Sequence, residues 1–270
     1  MDKIKLLKEK ETLLIPLIAR AKESKKESPI IFDEKAITIT DQIDYDFKKL
    51  KIPEKTNIMM CIRAKMLDDY VKRHLFNNKN CAVIHLGCGL DSRYERLRNN
   101  NVIWYDVDFE EVIELRKTFY ETTKKYHMIA SSVIEEDWIQ KIQKNFENYL
   151  VVAEGLFMYL EEKEIKNLLK GMKDHIGSFT LVFDAYSQMT AKHAKNHPSL
   201  KKTGAKIQWG IDDEGALEQW DLGIQFIKEK YFHEYDGLDK LDILTRVMFK
   251  ISSLFKAAKK AHRLLIYKTY

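Results

Sequence analysis

Two glycines close one apolar run of this chain, and an acid closes a second apolar run about twenty residues later. The first run is Val83-Ile84-His85-Leu86-Gly87-Cys88-Gly89-Leu90-Asp91-Ser92-Arg93, and the acid is Asp108, at the end of Val102-Ile103-Trp104-Tyr105-Asp106-Val107-Asp108. Bare glycine backbone lets a ligand lie against the main chain, and a carboxylate nearby accepts hydrogen bonds from the two hydroxyls of a ribose. The chemistry this serves is the holding of a nucleotide-like cofactor. A dinucleotide fingerprint asks for a third glycine three residues after the second, where the helix closes on the strand. Ser92 stands there, preceded by Asp91.

A further apolar strand runs out into Ala153-Glu154-Gly155-Leu156-Phe157-Met158-Tyr159-Leu160. Open parallel sheets bind ligands beyond the carboxyl ends of their strands, which is where Glu154 and Tyr159 fall. Enzymes that methylate base amino groups carry an Asn/Asp-Pro-Pro-Tyr/Phe motif here, and none of Pro16, Pro29, Pro53 or Pro198 is near. Other candidates have plainer readings. Arg63 taken by itself is a surface cation on a helix, Tyr159 a core aromatic and His85 a hydrogen-bonded core histidine. Cys88 is a small packing residue. His193 and His197 are four apart but lack the glutamate of a His-Glu-x-x-His site, so no metal site is expected.

These residues need a frame of strands and helices. Helical spacing is expected over Lys3 to Ala21 and again over Thr56 to Phe76, where Ile58, Cys61, Ile62, Met66, Leu67, Tyr70 and Val71 recur on one side. From Cys81 strands alternate with helices: Cys81 to Leu86, Val102 to Val107, His127 to Ala130, Leu150 to Ala153 and Phe179 to Phe183. Helices are expected between them over Phe109 to Tyr126, Trp138 to Phe146 and Glu162 to His175. That alternation implies an α/β fold with a doubly wound, mostly parallel sheet and right-handed crossovers. Met189 to Gly210 is polar and lysine-rich and reads as an insertion or lid. Two last strands, Ile224 to Tyr231 and Leu264 to Tyr270, flank a helical stretch and can set the final strand antiparallel to the rest. The chain thus divides into an N-terminal helical cap, 1–80, and a cofactor-binding core, 81–270, with an insertion near 186–222.

Composition narrows the class further. With 270 residues, 45% hydrophobic and 32% charged, the chain is that of an ordinary globular protein. Its net charge of +5 is spread along the whole length, which speaks for a solvated lysine-rich surface and against a nucleic-acid groove. The three cysteines, Cys61, Cys81 and Cys88, form no Cys-x-x-Cys pair and fit a reducing cytoplasm. The apolar run Leu13-Leu14-Ile15-Pro16-Leu17-Ile18-Ala19 is too short to span a bilayer and has no cleavage site after it, so neither a membrane anchor nor a signal peptide is expected.

Several motifs in order resemble one family. Arg20-Ala21, Phe32-Asp33 with Ala36, and Arg63-Ala64-Lys65-Met66-Leu67-Asp68-Asp69 are similar to the N-terminal blocks of the leucine carboxyl methyltransferase-like family, which includes polyketide-type O-methyltransferases. Leu86 to Arg93 resembles its Leu-Gly-x-Gly-x-Asp-Thr-Arg signature, and Asp106 to Phe109 and Glu154 to Leu160 resemble further blocks. The resemblance implies the class I S-adenosylmethionine-dependent fold, with a Rossmann-like seven-stranded sheet. It implies that Arg63 holds the methionine carboxylate and that the backbone of Gly87, Cys88, Gly89 and Asp91 passes the cofactor. Asp108, followed by Phe109, would bind the ribose, and Glu154 with Gly155 would lie near the amino group and sulfonium. The family carries an acid before its Asp-Trp pair to meet the adenine amine. Ser132, followed by Val133, stands at that place before Asp137-Trp138, and a neutral serine is a weaker acceptor.

The expected reaction is methyl transfer from S-adenosylmethionine to a carboxylate or hydroxyl of a small-molecule acceptor, with Arg63 and Tyr159 as the catalytic candidates. No general base stands out in the motif blocks, which favours a carboxylate or an already acidic hydroxyl, although His193, His197 or His233 would change that. Gln208, Trp209 and Trp220 are the expected acceptor-pocket residues. Two other readings stay open at this level: an NAD(P)-dependent oxidoreductase using the same loop, against which Ser92 argues, and a cofactor-binding module without catalysis. Oligomeric state is not legible.

Overall fold

The computed structural model describes residues 11–99, 101–194 and 206–270. Its seven strands are β1 (Cys81–Leu86), β2 (Val102–Asp108), β3 (Tyr126–Ala130), β4 (Asn148–Ala153), β5 (Thr180–Tyr186), β6 (Ile224–Tyr231) and β7 (His262–Thr269). They form one sheet in the order β3-β2-β1-β4-β5-β7-β6. β1 to β5 are parallel, and β7 lies antiparallel between β5 and β6. The doubly wound, mostly parallel seven-stranded sheet expected from the alternation is therefore present.

The helices are α1 (Glu11–Glu23), α2 (Glu34–Gln42), α3 (Glu54–Asn77), α4 (Arg93–Leu97), α5 (Glu110–Lys117), α6 (Glu162–Ile176), α7 (Gln188–Ala194), α8 (Ile243–Ser252) and α9 (Lys256–Lys260). β1 is buried along its length, as a central parallel strand must be. Its pleat sends Val83 into a core shared with α1, α2 and α3, and Ala82, Ile84 and Leu86 into a core shared with α6. The α6 stripe, Ile165, Leu168, Leu169 and Met172, has the i, i+3, i+4, i+7 spacing of a one-faced helix. A reciprocal cap between Glu161 and Glu164 starts that helix, and Gly177, at φ 77°, ends it.

Several segments differ from the periodicity. The first helix begins at Glu11, and residues 3–10 of the expected span lie outside the described residues. The helix expected over Phe109 to Tyr126 stops at Lys117, and Thr123 Oγ1 then accepts the N–H of Tyr126 at 3.0 Å in the turn that starts β3. Trp138 to Phe146 forms only one 3-10 turn, Ile139–Lys141. Side chains satisfy the backbone there instead. Tyr149 Oη donates to Gln143 O at 2.8 Å, Tyr105 Oη accepts from Gln143 N, and His175 Nε2 bonds Ile142 O at 3.0 Å. In the insertion, α7 and a 3-10 turn, Ala216–Trp220, flank residues 195–205, which lie outside the described set. β5 runs on through Asp184, and β7 begins two residues early, at His262.

Buried ion pairs lock the loop after β1 to its surroundings. Arg116 of α5 donates to Gly89 O and Asp91 O at 2.8 Å each, and its other terminal nitrogen meets Tyr126 Oη and Asp106. Asp106 also accepts from Trp104 Nε1 at 2.8 Å. Burial pushes the Asp106 pKa upward, but Arg116 and His85 outweigh it and hold it below the ordinary range. Asp33, joined to Arg20 at 2.8 Å and Arg96 at 2.9 Å, is likewise held low against burial.

Asp106→Asn should cost about 3–5 kcal/mol of folding stability, because it leaves the Arg116 guanidinium uncompensated; urea unfolding followed by circular dichroism measures this. Carboxylates depressed in the folded state contribute stability that is full above their unfolded pKa of about 3.9 and is lost as pH falls below it. The unfolding free energy should therefore begin to fall as pH drops below about 6.5, where the unfolded chain protonates His74 and His262 but burial keeps them neutral in the folded one, and fall further below about pH 4; titration of the urea midpoint with pH checks that sign.

Candidate active site

Strand order reverses between β1 and β4, and the residues singled out above converge beyond the carboxyl ends of the strands around that point. Gly87 and Gly89 have φ of 61° and 50°, the left-handed region in which a side chain is strained. A Cβ on Gly87 would also lie 2.9 Å from Leu156 Cδ1. Asp108 closes the loop from the neighbouring strand. Its Oδ2 accepts the Gly89 N–H at 2.7 Å and its Oδ1 the Phe109 N–H at 2.8 Å. Burial raises the Asp108 pKa, and the two N–H groups only partly offset it. The Phe109 ring beside it is largely exposed. Ser131 N–H donates to Asp108 O at 2.9 Å, which brings the Ser132-Val133 loop alongside the same strand end.

Two strands away, a second charged station lies against α3. Arg63 Nε donates to Glu154 Oε1 at 2.9 Å, and its Nη1 donates to Asp184 Oδ2 at 3.2 Å. Burial opposes the guanidinium charge, but Asp184 and Glu154 together raise its pKa above the ordinary arginine value. Burial likewise disfavours the Glu154 carboxylate, yet Arg63 and Arg93 hold it ionised below the usual range. Glu154 bonds Arg93 through its other oxygen. Gly155 has φ 62° and donates its N–H to Asp184, and a Cβ on it would meet the Arg63 guanidinium at 3.4 Å. Tyr159 closes a 3-10 turn, Phe157–Tyr159, and packs with Met158, Ala191 and Ile207. Burial raises its pKa although Arg63 nearby pulls it down.

The structure thus brings Arg63, Glu154, Gly155 and Tyr159 together at one station, and Gly87, Cys88, Gly89, Asp108 and Phe109 at the other. The Asp91 side chain pairs with Arg93 at 3.1 Å and Arg96 at 2.7 Å. Cys88 is buried, and burial pushes its thiol pKa well above the ordinary value. Ser92 Oγ donates to Asp33 Oδ1 at 2.5 Å, so the position of a third glycine is a polar anchor.

Two residues escaped the sequence reading. Asp184 lies fully buried on β5, and its Oδ2 is shared between Arg63 and His262, whose Nε2 lies 2.7 Å away. Asp184 is held below the usual carboxylate range by Arg63 and His262 against its burial. The available signal was an acid immediately following the apolar run that ends at Phe183; His262 carried none. Of the other histidines, His193 is exposed and bonds Met189 O at 2.8 Å, His233 stacks on Tyr231, and His197 lies outside the described residues. Trp209 and Trp220, expected to line the acceptor pocket, are packed into the core, each 7% exposed. Gln208 is exposed and donates through Nε2 to Tyr159 O at 2.7 Å.

Known proteins resemble this chain in sequence and in fold. The family model for leucine carboxyl methyltransferase matches residues 14–173. The tetracenomycin polyketide synthesis O-methyltransferase TcmP of Streptomyces glaucescens is 37% identical over 226 residues, 83% of each chain. The S-adenosyl-L-methionine-dependent methyltransferase dpfgK of Gibberella zeae is 27% identical over 94% of this chain and 92% of its own. Among solved structures, a DUF574-family protein from Streptomyces avermitilis superposes with a TM-score of 0.60 at 8% identity, covering 98% of this chain and all (100%) of its own. A SAM-dependent methyltransferase from Anabaena variabilis gives 0.51 at 11% identity, over 77% of this chain and 85% of its own. Those two likenesses concern the fold alone. The chain belongs to the leucine carboxyl methyltransferase family, S-adenosylmethionine-dependent enzymes of the class I fold.

Proposed function

We propose that this chain transfers the methyl group of S-adenosylmethionine to an oxygen of a small-molecule acceptor. The observation that carries the reading is a pair of charged stations on one edge of the sheet: Asp108 at the glycine loop, and Arg63 held between Glu154 and Asp184. The donor set fits the cofactor. A carboxylate stands where a ribose diol needs an acceptor, and a guanidinium and a carboxylate stand together where an amino acid offers both charges. Oxygen as the accepting atom is supported by the name of the Streptomyces glaucescens relative. Family membership favours this reading over a nicotinamide oxidoreductase or an inactive module.

When bound, the cofactor supplies a methyl carbon already activated by its sulfonium. The chain's own residues position and shield. Arg63 spends two of its five N–H donors on Glu154 and Asp184 and keeps the rest for the methionine carboxylate. Glu154, with lone pairs beyond its two arginine bonds, takes the ammonium end, and the peptide after it stays close because Gly155 has no side chain. Gly87, Cys88, Gly89 and Asp91 offer backbone to the cofactor. Phe109, Ser132 and Val133 flank its base, with Ser132 as the neutral acceptor. Tyr159 contacts the acceptor, and residues 1–80 form the helical cap over the 81–270 core. The three unpaired cysteines support a cytoplasmic setting, and no helix among the described residues is long and apolar enough to cross a membrane.

Calorimetry should detect binding of S-adenosylhomocysteine, and a protein that binds neither it nor S-adenosylmethionine would sink the proposal. Asp108→Asn should weaken that binding about tenfold or more, since a hydrogen bond to a charged acceptor is worth about 1.5–3 kcal/mol. Gly87→Ala should lower stability by about 1–2 kcal/mol through its left-handed backbone and reduce cofactor affinity with it, read by thermal unfolding with and without S-adenosylhomocysteine.

A further inference from the structure

A cavity of about 200 Å³ opens between the first turns of α3, the helices α8 and α9, and the start of β7. Its walls are mostly apolar, with Ile58, Met59, Phe232, Met248 and Phe249 among them, and His262 belongs to its lining. His262 joins this cavity to the charged station. Its Nε2 is hydrogen-bonded to Asp184 Oδ2, and the same oxygen accepts from Arg63. The imidazole is wedged edge-on against Tyr186 and Phe232, at centroid distances of 4.5 and 4.7 Å, which fixes its orientation. Its side chain nonetheless keeps 18% of its surface exposed.

We propose that this cavity receives an apolar, ring-bearing acceptor with a weakly acidic hydroxyl, and that His262 is the base that takes the hydroxyl proton. The inference rests on the methyl-transfer reading above and names its acceptor class. An ionised Asp184 favours the tautomer with hydrogen on Nε2, which leaves the Nδ1 lone pair as the proton acceptor. In the step itself, the acceptor O–H bond gives its proton to Nδ1 as the oxygen forms a bond to the methyl carbon. The carbon–sulfur bond breaks with its electron pair moving to sulfur, and the products are a methyl ether and S-adenosylhomocysteine. The imidazolium, beside Asp184, then returns its proton to solvent.

The surroundings set the imidazole's readiness. Burial lowers its pKa below the ordinary value, and Asp184 only partly restores it, so the ring is neutral at pH 7 and its nitrogen is free to accept a proton. The charged and titratable groups around it are Asp184 and Tyr186 from β5, Arg63 and Lys55 from α3, Glu154 after β4, and His233 and Lys259 on the cavity side. Asp184 acts as a positioning residue, since its bond fixes the ring tautomer. A carboxylate acceptor, ionised near neutrality, would need none of this.

The test compares 1-naphthol with 1-naphthoic acid as acceptors for the full chain and for His262→Gln, alongside calorimetry with S-adenosylhomocysteine. Wild type should methylate 1-naphthol. His262→Gln should lower kcat/KM for it at pH 7 by about 100-fold or more, with the loss shrinking as pH rises toward the naphthol pKa. Transfer to 1-naphthoic acid should fall far less than transfer to 1-naphthol in that variant. Met248→Trp, which fills the cavity, should raise KM for 1-naphthol without weakening S-adenosylhomocysteine. Wild type inactive on 1-naphthol, a variant as active as wild type, or an equal loss on both acceptors overturns the proposal. Absence of S-adenosylhomocysteine binding by wild type is the separate result that overturns the methyl-transfer reading beneath it.

Discussion

A guanidinium cannot be left in the interior without a carboxylate, and this protein buries the side chains of Arg20, Arg63, Arg93, Arg96 and Arg116 around one loop. Asp33, Asp68, Asp91, Asp106, Glu154 and Asp184 answer them. Removing either side of such a pair strands the other, so no member changes alone. The network also spans the chain. Arg20 is on α1, Arg63 on α3, Arg93 on α4 and Arg116 on α5, while their partners sit on strands, in loops and, for Asp68, on α3. Folding the N-terminal helices onto the sheet and assembling the cofactor site are consequently one event.

Glu154 is where this coupling is tightest. One oxygen serves Arg63 and the other Arg93, and Arg93 in turn pairs with Asp68 on α3 and Asp91 in the glycine loop. The station proposed for the amino-acid end of the cofactor is therefore wired to the loop proposed for its adenosine. Such preorganisation means that a ligand finds its partners already oriented and spends little of its binding free energy arranging them.

Most of the residues that gather at the strand ends were singled out in the sequence, the glycine loop and Asp108 by residue types and spacing, Arg63 only through the family resemblance. The glycine loop and Asp108 are local to a strand–turn–helix unit, and the Arg63 block and Glu154 follow at the intervals of the family. Asp184 and His262 were not readable, because each becomes meaningful only through a partner far away in the chain. An acid after Phe183 looks like the end of a strand; burial against Arg63 makes it part of one. Helical spacing over Trp138 to Phe146 failed for a similar reason, since the hydroxyls of Tyr105 and Tyr149 satisfy backbone groups that a helix would have paired internally. Trp209 and Trp220 looked like pocket aromatics because nothing in their neighbourhood of sequence announces the core they enter.

The position of β7 has a consequence for how the molecule is made. This strand is synthesised after every other, yet it occupies the interior of the sheet, between β5 and β6. A ribosome-bound chain can assemble β1 to β5 and their helices while the edge of β5 is still unpaired, which is the arrangement most open to pairing with another nascent chain. The glycine loop and Arg63 are thus synthesised well before the strand that carries His262.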